Sequence, residues 1–148
     1  MTSAEFNWKQ VEQAELNQTF DLETALSHIK FNEDGLVPAI AQQYDSGEVV
    51  MMAWMNLAAI KETLKNQRVC YWSRSRQAYW RKGESSGQVQ HLKELRIDCD
   101  GDALLVFVDQ VGPACHTGRR SCFYAVAEPE GLRVDSEPLI DPAELYAK

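Results

Sequence analysis

Leu36-Val37-Pro38-Ala39-Ile40-Ala41-Gln42-Gln43-Tyr44, Asp45-Ser46-Gly47-Glu48 and Val49-Val50-Met51-Met52-Ala53-Trp54-Met55 follow one another without interruption. The first and third runs are apolar enough for a half-buried pleated surface, and the second has the composition of a turn. Residues 36–55 are therefore predicted to form a β-hairpin. Downstream, Asn56 is placed to cap a helix over residues 57–65, with Leu57, Ile60 and Leu64 at helical spacing. Further strands are predicted at 69–73, 89–98, 103–110 and 122–127. Loops are predicted at 83–87 and 111–120, where glycine, proline and serine gather. Asp141-Pro142 opens a short terminal helix. Upstream, Asp21 can cap a helix over 22–30, and residues 1–20 read as polar with one short helix. Strands outnumber helices, so the expected class is α+β, with a mostly antiparallel β-sheet and a few short helices.

The chain has 148 residues, the length of one domain, and can form a core without disulfide staples. No apolar run approaches the ~20 residues that span a bilayer. Met1-Thr2-Ser3-Ala4-Glu5-Phe6-Asn7-Trp8 lacks the basic start and apolar stretch of a signal peptide. The expected location is cytoplasmic, where the four cysteines stay reduced, with no membrane partner. The net charge of −7 is unevenly spread: residues 1–48 carry −7, residues 49–124 carry +4 and residues 125–148 carry −4. A basic centre between acidic flanks suits a small anionic ligand better than a nucleic acid.

Chemistry-bearing residues crowd the basic centre. Asp98-Cys99-Asp100-Gly101-Asp102 precedes an apolar run, after which come Cys115-His116 and Cys122. Thiolates are soft ligands that select zinc, and carboxylates are hard ligands that select magnesium, calcium or manganese. On an extended backbone Cys99 points away from Asp98 and Asp100, so one pentapeptide can feed two metal sites. Three cysteines without an obvious fourth ligand suit a catalytic zinc that keeps a position for water. His116 is either a fourth ligand or a general base. Packing competes with these readings, because free cysteine is a good core residue, and Cys70 in its strand is assigned that role. The aspartates fail the EF-hand pattern, since Gly101 falls fourth where that loop needs glycine sixth. Tyr71 to Lys82 is basic and aromatic, and it runs into Gly83-Glu84-Ser85-Ser86-Gly87. Its arginine forks and serine hydroxyls suit phosphate, although a solvated charged loop has the same composition.

Four segments in order carry a resemblance: Ser73-Arg74-Ser75-Arg76; Trp80-Arg81-Lys82-Gly83-Glu84-Ser85-Ser86-Gly87; Asp98-Cys99-Asp100-Gly101-Asp102; and Gly112-Pro113-Ala114-Cys115-His116-Thr117-Gly118 with Ser121-Cys122-Phe123. They resemble the phosphoribosyl-AMP cyclohydrolase family of histidine biosynthesis, in its single-function form. The resemblance runs from about residue 36 to 126. It divides the chain into a helical N-terminal extension, 1–30, and a cyclohydrolase domain, 31–148. Gln88 departs from it, at a position where relatives often carry histidine.

The resemblance implies an intertwined homodimer that uses zinc and magnesium. It implies that Cys99 of one subunit joins Cys115 and Cys122 of the other at zinc, and that Asp98, Asp100 and Asp102 bind magnesium. It implies a substrate with two phosphates, held by Ser73, Arg74, Ser75, Arg76, Trp80, Lys82, Gly83, Glu84, Ser85 and Ser86. His116 is assigned to proton transfer as water opens the adenine ring. A nucleoside deaminase is excluded by the lack of His-x-Glu and of Pro-Cys-x-x-Cys. A zinc-stapled nucleic-acid-binding module is the remaining alternative. It is opposed by the acidic net charge and the missing Cys-x-x-Cys knuckles.

Overall fold

The computed structural model describes residues 6–145. Its elements in chain order are α1 (Trp8–Glu12), α2 (Leu22–Ser27), β1 (Val37–Gln43), β2 (Val49–Met55), α3 (Leu57–Asn66), β3 (Cys70–Ser73), β4 (Ala78–Arg81), β5 (Gln90–Ile97), β6 (Leu104–Gln110), β7 (Ala125–Glu128), β8 (Gly131–Val134) and α4 (Pro142–Leu145). The α+β class holds. The larger sheet has the order β4-β3-β2-β1-β6-β5, and β7 and β8 form a separate two-stranded ribbon.

The predicted hairpin is the centre of this sheet. β1 and β2 pair antiparallel from Val37↔Met55 to Gln42↔Val49. Residues alternate along β1, with Val37, Ala39 and Ala41 fully buried. β6 alternates in the same way and buries Leu104, Val106 and Val108. β1 and β6 run parallel, the one parallel pairing of the sheet, while the other four neighbours are antiparallel. Asn56 caps α3 by accepting from the Ala59 N–H at 2.8 Å. α3 then lays Ala59, Ile60 and Thr63 against the sheet. Leu26 and Ile29 join the same core, so the N-terminal segment packs against the sheet.

The open sheet curls until its two sides meet. The Val69 N–H donates to the Gln90 carbonyl at 3.1 Å, and the Leu92 N–H donates to the Gln67 carbonyl at 2.9 Å. These bonds stitch the entry to β3 onto β5 and give the sheet a barrel-like closure. They also bring Tyr71 and Gln90 together inside it.

Three details differ from the sequence reading. Ala78–Arg81 is a strand (β4) rather than part of a loop, because its backbone pairs with β3 while most of its side chains face solvent. The last predicted strand starts at Ala125, so Cys122 lies in the preceding loop. The Asp98–Asp102 segment is a turn rather than extended chain. The Gly101 N–H donates to the Asp98 carbonyl at 2.9 Å, and Gly101 has φ +76°. No described helix is long and apolar enough to cross a membrane.

Candidate active site

The loop between β6 and β7 carries the first group of ligand-type side chains. Cys115 is buried, and Cys122, which is exposed, is close enough for each thiol to shift the pKa of the other. The Thr117 hydroxyl donates to Cys115 Sγ at 3.2 Å. Burial acts to raise the Cys115 thiol, but the Thr117 hydroxyl and amide, Cys122 and the Arg119 charge outweigh it and hold the pKa below the ordinary value. The Cys122 thiol is pushed up to about 12, by desolvation and then by Cys115. Two neighbouring sulfurs of this kind offer a soft cation a pair of donors. His116 is exposed beside Cys115.

This loop is tied down at several points. The Cys122 N–H donates to the Val50 carbonyl at 2.8 Å, and Ser121 Oγ donates to the Val49 carbonyl at 2.8 Å. Arg120 donates to the carbonyls of Gln110 and Gly112 at 2.9 and 2.8 Å. Lys82, only 5% exposed, donates from Nζ to the Ala114 carbonyl at 2.8 Å. Burial lowers the Lys82 pKa, and the nearby thiols oppose that fall. Tyr71 is fully buried, and that burial raises the pKa of its hydroxyl, which donates to Gln90 Oε1 at 2.7 Å. From the C-terminal side, the Leu139 N–H donates to the Gly118 carbonyl at 2.8 Å.

Beside this loop is a cleft of about 300 Å³, lined by Ser73, Arg76, Tyr79, Trp80, Arg81, Lys82, Gly83, Glu84, Ser85 and Ser86. Gly83 has φ +87°, and a Cβ there would collide with the backbone of Val89, so the loop closes only with glycine at this position. The cleft gathers most of the predicted substrate residues. Ser75 comes within 3.4 Å of Ser73, Oγ to Oγ. Arg74 lies elsewhere, its guanidinium 4.7 Å from the Trp54 ring centre.

The acidic turn is separate. One ligand atom from each of Asp98, Cys99 and Asp100 lies within 4.8 Å of the others. Asp98 is held below the usual carboxylate value by its bonds to Asp102 and to the Cys99 amide, and Asp102 is raised by Asp98 and Asp100. Asp98 and Asp100 at this spacing offer a hard cation two carboxylates, with Asp102 outside the close group. The N-terminal segment backs the turn. The Lys30 N–H donates to the Gly101 carbonyl at 2.7 Å, and a Cβ on Gly101 would collide with the Trp8 indole.

The two groups flank β6, the turn before it and the thiol loop after it. A strand rises ~3.3 Å per residue, so seven residues hold them roughly 20 Å apart in one chain. Cys115 and Cys122 are together, and Cys99 stands with Asp98 and Asp100. Sequence reasoning missed the anchors Tyr71, Gln90 and Gln110. Their only signal was polarity inside apolar strands.

A thiol pair beside a cleft of small-ligand size lined by Arg76, Arg81 and Lys82 suits an enzyme that acts on a small molecule. The family model for phosphoribosyl-AMP cyclohydrolase matches residues 51–124. The chain is 58% identical to the phosphoribosyl-AMP cyclohydrolase of Hydrogenovibrio crunogenus over 146 residues, 99% of each chain. It is 68% identical to that of Alcanivorax borkumensis over 127 residues, 86% of this chain and 89% of the other. It is 61% identical to that of Alkalilimnicola ehrlichii over 139 residues, 94% of this chain and 98% of the other. The chain belongs to the phosphoribosyl-AMP cyclohydrolase family.

Proposed function

We propose that the chain hydrolyses 1-(5-phosphoribosyl)-AMP in the cytoplasm as a step of histidine biosynthesis. Water adds at C6 of the adenine ring and the N1–C6 bond breaks. The product is the formimino-aminoimidazole-carboxamide ribonucleotide. The phosphoribosyl group on N1 leaves the ring electron-poor, which opens C6 to attack. The observation that carries this reading is the Cys115–Cys122 thiol pair beside a basic cleft, in a chain of this family.

Ser73, Arg76, Ser85 and Ser86 would hold a substrate phosphate through charge-assisted bonds. His116, exposed beside Cys115, would move protons between water and the ring nitrogens. The thiol pair fits zinc, with Cys115 and Cys122 as two ligands and Cys99 of a second copy as the third. The separation of the two groups along β6 supports a shared centre, because one chain keeps Cys99 away from the pair. The carboxylate turn fits magnesium, held by Asp98, Asp100 and Asp102. When bound, zinc supplies a Lewis acid that lowers the pKa of water toward ~7, and magnesium offsets phosphate charge.

The test is turnover of phosphoribosyl-AMP by purified protein before and after chelation, with zinc and magnesium restored separately. Loss on chelation and recovery only with zinc and magnesium present are expected. Full turnover by protein shown to be free of both metals would refute the metal assignment, and no turnover under any metal condition would refute the substrate.

A further inference from the structure

A chain of polar side chains crosses the interior of the curled sheet, where apolar residues would pack at lower cost. Gln43, Gln90 and Gln110 are each at most 5% exposed, and Gln90 is fully buried. The Tyr71 hydroxyl donates to Gln90 Oε1 at 2.7 Å. Gln90 Nε2 donates to Gln110 Oε1 at 2.8 Å. The Gln110 N–H and Arg120 Nη2 both donate to Gln43 Oε1, at 2.9 and 2.8 Å. Among the described residues no buried side-chain nitrogen or oxygen lacks a partner. The network therefore has one satisfied arrangement, and each amide is oriented by the next.

Its two ends matter more than its middle. One end is the Tyr71 hydroxyl, fully buried within the sheet. The other is Arg120, which grips the carbonyls that open the thiol loop. Between them, Gln110 Nε2 donates to the Val111 carbonyl at 2.9 Å and to the Gln88 carbonyl at 3.2 Å. The relay thus holds the thiol loop at its entry, through the Val111 and Gly112 carbonyls, and on its return, through Arg120 itself. Fold stability alone does not require such a device, because an apolar core would serve as well.

We propose that Tyr71, Gln90, Gln110, Gln43 and Arg120 form a positioning relay that sets the placement of the Cys115–Cys122 thiol pair, and so its grip on a soft cation. The inference rests on the reading of that pair as cation ligands. Outer partners of this kind alter metal affinity by about 10–100-fold when removed.

The experiment follows the rate at which a chromogenic chelator strips zinc from the zinc-loaded full chain, alongside thermal melting. Tyr71→Phe keeps the ring and removes the hydroxyl, and Gln90→Leu breaks the relay at its centre. Thr63→Val serves as a control, because it removes a buried hydrogen bond to the Cys70 amide outside the relay. The expected result is zinc loss roughly tenfold faster in Tyr71→Phe and Gln90→Leu, with the Thr63→Val rate unchanged even where its melting temperature falls. Should Gln90→Leu fail to fold, Tyr71→Phe alone decides. Wild-type release rates in both relay variants would overturn the relay and leave the cation reading intact. A wild-type chain that takes up no zinc would overturn both.

Discussion

Lys82 and Arg76 line the same cleft, yet they are placed for different tasks. Arg76 is exposed, while the Lys82 ammonium is buried against the Ala114 carbonyl. Arg76→Ala is expected to raise KM with bound zinc unchanged. Lys82→Met is expected to lower zinc content, because it frees the thiol loop at Ala114. Steady-state kinetics with metal analysis of both variants checks the contrast. His116→Ala is expected to keep its zinc and lose about 10²–10⁴-fold in kcat. Zinc loss in that variant would make His116 a ligand instead. Cys115, Cys122 and the aspartates stood out in the sequence as candidate ligands, because those residue types are costly to explain by packing. The anchoring role of Lys82 was not, since composition alone cannot separate a lysine facing phosphate from one buried on a carbonyl.

α3 and β4 are joined by a paired contact. Arg81 Nε and Nη2 each donate to a Glu62 carboxylate oxygen at 2.9 Å. Arg81 holds the Glu62 pKa below its ordinary value. A depressed carboxylate contributes stability above its unfolded value of ~4.3, and that contribution disappears as pH falls through the lower folded value. The pair is solvent-screened, so its contribution is small. Glu62→Gln is therefore expected to lower the melting temperature slightly at pH 7, with the difference from wild type shrinking as the pH falls through the acid range. Removing the α3 cap with Asn56→Ala is expected to cost about 1 kcal/mol in denaturant unfolding. The β1–β2 hairpin and α3 were legible almost to the residue, since alternation and a cap mark them. β4 was not. Its mostly exposed face carries the mixed polarity of a loop, and only pairing with β3 makes it a strand.

Across the whole molecule, the acidic turn and the thiol loop lie at opposite ends of β6, and under the proposed metal reading they are two halves of a centre completed by a second copy. Chains carrying Cys99→Ala and Cys122→Ala are each expected to be inactive. Mixed after unfolding and refolding together, they should regain activity, because a hybrid pair has one centre with both mutations and one with neither. Random pairing makes half the dimers hybrid, so roughly a quarter of all centres work. Activity that stays at zero in the mixture, with hybrid pairs demonstrated, would exclude the shared centre. The α+β class followed from strand count, but the parallel β1–β6 pairing did not, because long-range neighbours leave no local pattern.

Seven residues of β6 act as a spacer of fixed length, and from that follows a threshold. Under the shared-centre reading, a solitary copy is silent however well it folds, and a symmetric couple gains both of its reaction chambers at once. Output per molecule should therefore collapse on dilution below the dissociation constant of the couple. Protein abundance alone would then turn this activity on, with no effector required.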